Sequence, residues 1–371
     1  MAEFYNGDRG PNYPKPSEIV EQGVPFINAG DLINGHIDYH NCKHITSDKF
    51  NQLNGAKLKI NDIVYCLRGT IGKNGLVNSG ANATIASSLV CIRPVKLRPL
   101  FLFQILNSSI EERQRKMVDE GAAQPNISAT NLKKFLIPVP NDNEQEKIGE
   151  VFSKLNHLIT LQQRKLEILI KLKRSFLTKS MANSLDKNPE LYFNSASVKW
   201  LKQKLSDLTI KEFKGNTKLN DTKPGKTEYL DAERLNGNVP LFIDKPINTL
   251  KSDILILWDG SKAGSVYYGF EGSLGSTLKA IRLNPKLVNS FFVYQQLKSK
   301  QDVIFNKYRT PNIPHVIKNF TKVYPIYFPS IAVQNKIARF LGNLDTLIEI
   351  QQKSIKDHKV IKKYLLQKLF I

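Results

Sequence analysis

The sequence holds little of what a secreted, membrane-spanning or catalytic protein needs. Its 371 residues include three cysteines, Cys42, Cys66 and Cys91, too few and odd in number for a disulfide framework. No apolar run approaches the roughly 18 residues of a spanning helix. Residues 1–10 are too polar for a secretory signal, and the chain reads as cytoplasmic. There is no G-x-G-x-x-G and no G-x-x-x-x-G-K-[ST], so no ready cradle for a dinucleotide or a nucleoside triphosphate. The Asn-Pro-Pro-aromatic run that a base methyltransferase would need is also missing. Acid is the last shortage: 33 Asp and Glu stand against 54 Lys and Arg, a net charge of +21. Such an excess points to a polyanionic partner, most simply nucleic acid.

What the sequence does contain is a repeat. Residues 141–181 return from Ser330 onward without a gap, at the offset 334 − 145 = 189 set by Gln145 and Gln334. Pro140/Pro329, Ile148/Ile337, Leu155/Leu344, Ile159/Ile348, Gln162/Gln351 and Lys179/Lys368 keep the same spacing. Each copy predicts one long helix entered after a proline, with Asn141 or Ser330 as N-cap. Glu144 completes a capping box in the first copy, which Val333 cannot do in the second.

The apolar period of these helices is nearer 3.5 than 3.6 residues. Phe152, Ile159 and Leu166 take a positions, with Ile148, Leu155, Leu169 and Phe176 at d. In the second copy Leu341, Ile348 and Ile355 take a, with Ile337, Leu344 and Leu365 at d. Gln162 and Gln351 fall on the seam at matching places, where a polar residue fixes register. The pattern predicts two helices that pair with each other as a coiled coil through about four heptads. Arg164, Lys165, Lys171, Arg174, Lys353, Lys356 and Lys363 lie outside the seam as solvated charge or as contacts to DNA or a partner.

The text before each helix is also matched, though more loosely. In the first half, strand-like 25–29 and 62–67 lead to the loop Arg68-Gly69-Thr70-Ile71-Gly72-Lys73. A further strand at 89–92, a helix over 100–117, Pro125-Asn126-Ile127 and a strand over 135–139 follow. In the second, Leu230-Asp231-Ala232, the strand 253–257 with Trp258-Asp259-Gly260-Ser261, Ser276-Thr277-Leu278, a helix over 291–300 and Pro311-Asn312-Ile313 take their places. The expected organisation is a globule at 1–140, a helix at 141–182, an Asn/Ser-rich linker at 183–197, a globule at 198–329 and a helix at 330–371. The globules differ far more than the helices, as two equivalent scaffolds presenting different surfaces would. The second globule opens with 198–210, including Trp200, Leu205 and Leu208, whereas only Met1-Ala2 precede Glu3-Phe4. The first globule is therefore expected to be N-terminally shortened.

The ordered set, occurring twice, resembles the DNA-specificity subunit of type I restriction–modification systems. The residues that carry the likeness are the helix openings 140–148 and 329–337, Leu155-Asn156 with Leu344-Asp345, the aspartate–strand–glycine loops and the Asn-Ile turns. The resemblance implies an α+β fold: two target-recognition domains of mixed and antiparallel β structure with short helices, and an antiparallel helical pair between them. It further implies a non-catalytic subunit that binds double-stranded DNA at a bipartite, gapped, asymmetric site. Its partners would be two methyltransferase subunits and restriction/translocase subunits, which would carry S-adenosylmethionine, ATP and Mg. The helix length favours half-site centres about one duplex turn apart.

Candidate DNA contacts are Arg9 and Lys15 in the Gly/Pro-rich 7–16, then Arg68, Thr70, Lys73 and Asn74 of the first glycine loop, with Gln124 and Asn126. In the second half they are Lys218, Ser261, Lys262, Arg309 and Asn312. His36, His40, Cys42 and His44 cluster in sequence, but no second ligand pair accompanies them, so no metal is expected. Two other classes compete: a fragment of a self-contained restriction–modification enzyme, and a non-sequence-specific nucleic-acid-binding assembly scaffold.

Overall fold

The computed structural model describes residues 1–78, 80, 82–118, 126–180, 200–310 and 314–369. Two compact units result. One joins Met1–Arg164 to Lys353–Ile371, and the other is Lys165–Gln352. The expected linker 183–197 lies outside the described residues.

The first unit is built on an antiparallel sheet. Ala2–Asn6 pairs with Leu89–Pro94, which pairs with Ile63–Cys66, which pairs with Asn74–Leu76. Gly35–Ile37 then adds in parallel. Ile63–Cys66 is buried at all four positions, as a strand covered on both faces must be, which is why it reads as an unbroken apolar run. A smaller sheet orders Ile19–Val20, Lys43–Ile45, Val24–Ile27 and Thr84–Ile85. The expected helix over 100–117 is two helices, Pro99–Ile105 and Ser109–Met117. Ser108 breaks it: its hydroxyl accepts from Ile110 N at 3.2 Å and starts the second helix as an N-cap.

The second unit repeats the core order. Thr209–Lys214, Leu278–Leu283, Ile254–Leu257 and Val266–Tyr267 form the sheet. Each sheet is pinned by the same ion pair. Arg93 clasps Asp62 with Nε and Nη2 at 2.8 and 2.7 Å, and Arg282 clasps Asp253 at the same two distances. Both carboxylates are buried and also accept a backbone N–H, from Lys59 and Leu250 respectively.

The long helices run over Asp142–Ser180 and Ile331–Leu369. Asn141 Oδ1 accepts from Glu144 N at 2.9 Å, as an N-cap should. A few residues on, Gln145 joins each helix to its globule. Its Nε2 donates to Pro140 O and its Oε1 accepts from Arg98 N, while Gln334 does the same with Pro329 O and Asn289 N.

The seam is only partly a helix–helix seam. Ile148 and Phe152 belong to the core of the first unit, and Ile337 and Leu341 to that of the second. The first three turns of each helix spend their apolar stripe on sealing a globule, because the short helices at 99–105 and 290–299 lie against them. Gly149 has no room for a side chain there, since a Cβ would stand 2.7 Å from Leu100 Cβ. Within the second unit the helices run antiparallel. Phe176 packs tilted against Phe340, ring centres 4.5 Å apart, and Lys173 pairs with Asp345 at 2.5 Å, the partner number falling as the other rises. Leu344 and Gln351 are buried on this side and Ile348 is half-buried. In the first unit, Ile159 and Ile355 are buried, whereas Leu155 and Gln162 are half-buried. Leu166 and Leu169, both in the second unit, are also half-buried. The ends of the helices dock symmetrically: Leu365 and Leu366 pack on the first unit's core, and Phe176 and Leu177, at 365 − 189 and 366 − 189, on the second's.

Candidate nucleic-acid interface

The buried strand Ile63–Cys66 leaves the sheet into an exposed turn. Gly69 and Gly72 take φ of +79° and +84°, a region that L side chains enter only with strain. The turn closes on its own backbone, Gly72 N to Cys66 O and Lys73 N to Thr70 O, both at 3.2 Å. Arg68 and Thr70 are left exposed. Neighbouring segments are tied to the same end of the sheet. Arg68 forms a backbone bridge with Asn126, Leu67 N donates to Ser88 O, and Arg9 Nη2 reaches Ser87 O at 3.4 Å. Arg9, Arg68, Thr70 and Asn126 thus come together. Lys15 is exposed on the separate Pro16–Glu18 turn, and Gln124 lies outside the described residues.

Two expected contacts are not available. The Lys73 ammonium is half-buried and donates to Ala29 O at 2.8 Å. Asn74 is buried, with Nδ2 on Gly72 O and Leu106 O. Both residues follow the turn into the Asn74–Leu76 strand, so their polar ends satisfy backbone carbonyls inside the unit.

The second unit places an equivalent loop at the equivalent end. Gly260 and Gly264 have φ of +110° and +96°, and Gly264 N donates to Leu257 O at 2.7 Å. Ser261 and Lys262 are exposed, as is Lys218 beside Thr217, whose carbonyl accepts from Ser276 N. Arg309 is not free. Its Nη1 donates to Ser261 O at 3.0 Å, and its guanidinium lies 5.5 Å from the Phe305 ring centre. It braces the loop from beneath. Asp259 is held by Lys214 at 2.6 Å, and Lys279 lies over the Trp258 ring while paired to Glu212.

The turn following each globule needs a correction. Asn312 lies outside the described residues, as does Pro125, and the backbone matches Asn126-Ile127 with a different pair. Ile127 N donates to Leu67 O and Asn126 bridges Arg68. Val316 N donates to Trp258 O and His315 bridges Asp259. Val316 and His315 stand at 127 + 189 and 126 + 189, so the counterpart of Asn126-Ile127 is His315-Val316. The residue missed by matching short words is therefore His315, which the constant offset would have found.

Perturbed titrating groups have structural causes. Burial, then Glu111, pushes the Tyr65 hydroxyl up, and its donor bond to Glu111 is 2.5 Å. Burial, then Asp62, raises the Cys91 thiol, and burial raises Tyr39 to about 12. Cys42 donates to Tyr39 O. Among the described residues no three His, Cys, Asp or Glu are placed to hold a metal ion, and no helix is long and apolar enough to cross a membrane.

Comparison with known proteins agrees with this duplicated architecture. The sequence model described as "Type I restriction modification DNA specificity domain" matches residues 2–171 and again 197–357. The chain belongs to this family. Type I DNA-specificity subunits are thus its kin in both halves. The MjaVIII specificity subunit of Methanocaldococcus jannaschii is 32% identical over 165 residues, which span 43% of this chain and 39% of that protein. A second sequence of that archaeon, provisionally named the type I restriction enzyme MjaX specificity subunit, is 23% identical over 94% of this chain and 86% of its own. In fold, the crystal structure of a type I system S subunit from M. genitalium superposes with a TM-score of 0.71. That match covers 100% of this chain and 94% of the other at 21% identity. The chain is a DNA-binding specificity subunit of α+β architecture.

Proposed function

We propose that each unit reads one half of a bipartite, asymmetric, gapped DNA target, and that the chain holds methyltransferase and restriction/translocase subunits on that site in the cytoplasm. The observation that carries this reading is the pair of glycine loops. They leave the same strand of the same sheet in both units yet expose different residues, Arg68 and Thr70 in one, Ser261 and Lys262 in the other. Equivalent supports with unlike tips suit two unrelated half-sites. Phosphate contacts fix register while base-edge contacts carry the sequence, and a net charge of +21 supplies the first. The chain itself acts as the non-catalytic member. S-adenosylmethionine, ATP and Mg belong to the partner subunits.

The test replaces residues 198–329 with the corresponding domain of another family member and selects bound duplexes from a random pool. One half-site should change and the other stay. A change in both halves, or a pool with no enriched sequence, overturns the reading. The second outcome would leave a non-sequence-specific nucleic-acid scaffold.

A further inference from the structure

One backbone position at the loop end of each sheet carries opposite charge in the two units. Leu67 N donates to Ser88 O, and Trp258 N donates to Thr277 O, which stands at 88 + 189. The next residue, Arg68 in one unit and Asp259 in the other, forms a backbone bridge with Asn126 or His315 respectively. Arg68 and Asp259 therefore hold the same place. The side chain of one offers only donors, and that of the other only acceptors.

The neighbouring strand has changed with them. Leu89 faces Cys66 as Leu278 faces Leu257, and one residue further on Val90 faces Asn6 as Lys279 faces Lys214. Lys214 thus stands where the first unit has the uncharged Asn6. Its ammonium pairs with Asp259 at 2.6 Å, with the two side chains 50% and 39% exposed. Lys279, its cross-strand neighbour, is taken up by Glu212, which leaves Asp259 to Lys214. An ion pair so exposed adds little to stability, so the fold alone does not account for it.

We infer that Asp259 is a specificity-determining residue of the second unit, its carboxylate accepting from the N4 amino group of a cytosine in the major groove. The inference rests on the reading that the glycine loops face DNA. On such a face a bare carboxylate repels phosphate, and a chain of net charge +21 has no need of an acid there for backbone contact. Base edges are different. In the major groove adenine sets its amino group beside N7, an acceptor, whereas cytosine presents the amino group alone. A side chain with no donor therefore suits cytosine. Lys214 neutralises the carboxylate while the duplex approaches, and turns to a phosphate once the base amino group replaces it. Arg68, at the same backbone position, suits guanine O6 and N7 instead.

The experiment is selection of bound duplexes from a random pool by the full chain and by three variants. The parent should enrich a cytosine at one position of the half-site that changes when residues 198–329 are exchanged. Asp259→Ala should lower the preference for it about tenfold or more, and Asp259→Asn, which adds a donor, should turn the preference toward adenine. Lys214→Met breaks the same ion pair but keeps the acceptor, so it separates reading a base from bracing the loop. It should retain the cytosine while weakening binding to every duplex alike, with the salt dependence reduced by about one phosphate contact. Loss of the cytosine in Lys214→Met, or an unaltered site in Asp259→Ala, overturns the inference while the two-part reading stands. A parent pool with no enriched sequence overturns that reading, and this inference with it.

Discussion

Replacing Arg282 by Met should unfold the second unit early while sparing the first. The Arg282 guanidinium donates twice to Asp253, whose side chain is fully buried. Methionine keeps much of the stem's packing but leaves the carboxylate without its charge partner, and breaking a buried pair in this way costs about 3–5 kcal/mol. A quarter of the Arg282 side chain is exposed, so water reaches the vacated site and the loss falls to about 2–4 kcal/mol. With a urea dependence of about 2 kcal/mol per molar, the midpoint should drop by about 1–2 M. The assay is built into the sequence, because both tryptophans, Trp200 and Trp258, lie in the second unit. Tryptophan fluorescence then follows that unit alone, and far-ultraviolet circular dichroism follows both. Arg93→Met is the mirror experiment: it breaks the Asp62 pair and should shift part of the dichroism transition while leaving the fluorescence midpoint within about 0.3 M. Equal fluorescence shifts from the two variants would refute the assignment of separate cores. No shift from either would refute the role of the ion pair.

Leu344→Asp places a charge at a position 4% exposed and should lower the unfolding free energy followed by fluorescence by about 3 kcal/mol or more, whereas Leu155→Asp, half-buried, should cost less, both read by urea denaturation. Arg98, whose Nε and Nη2 reach Asp142, holds that carboxyl below its ordinary value. The folded value being the lower one, the pair's stabilisation is complete above about pH 5 and fades as pH falls below the ordinary aspartate value of about 3.9. The melting temperatures of the parent and Arg98→Gln should therefore converge on acidification, and a gap persisting at about pH 2 would contradict this.

The long helices were legible because length, period and caps agreed over many residues, and the offset of 189 needed no gap. What the heptads concealed was the identity of the packing partner. A stripe reading Ile148, Phe152, Leu155, Ile159 is the same text whether its first members meet a helix or a globule. The glycine loops were legible as turns, since a left-handed residue after a buried strand has few other uses. Which polar residues face out was not, because Lys73 and Asn74 sit where the turn has already become a strand. Pro311-Asn312-Ile313 misled for a different reason: three identical letters outweighed the constant offset of 189, which the backbone hydrogen bonds of His315 and Val316 follow. Asp62 with Arg93 and Asp253 with Arg282 stood in plain sight, as acid and base recurring at nearly one offset in otherwise unlike text.

The glutamine at the head of each long helix has a consequence for how such a chain varies. Gln145 and Gln334 close the joint between helix and globule by bonding only main-chain atoms: the carbonyl of a proline and the N–H that opens a short helix. Main chain is the one part of a globule that substitution leaves in place. Arg98 and Asn289 offer the same N–H despite unlike side chains, and the fastening does not distinguish them. A joint of this kind works like a threaded fitting of standard gauge. Whatever is mounted on it can drift in sequence, or be exchanged whole, without the seat being recut.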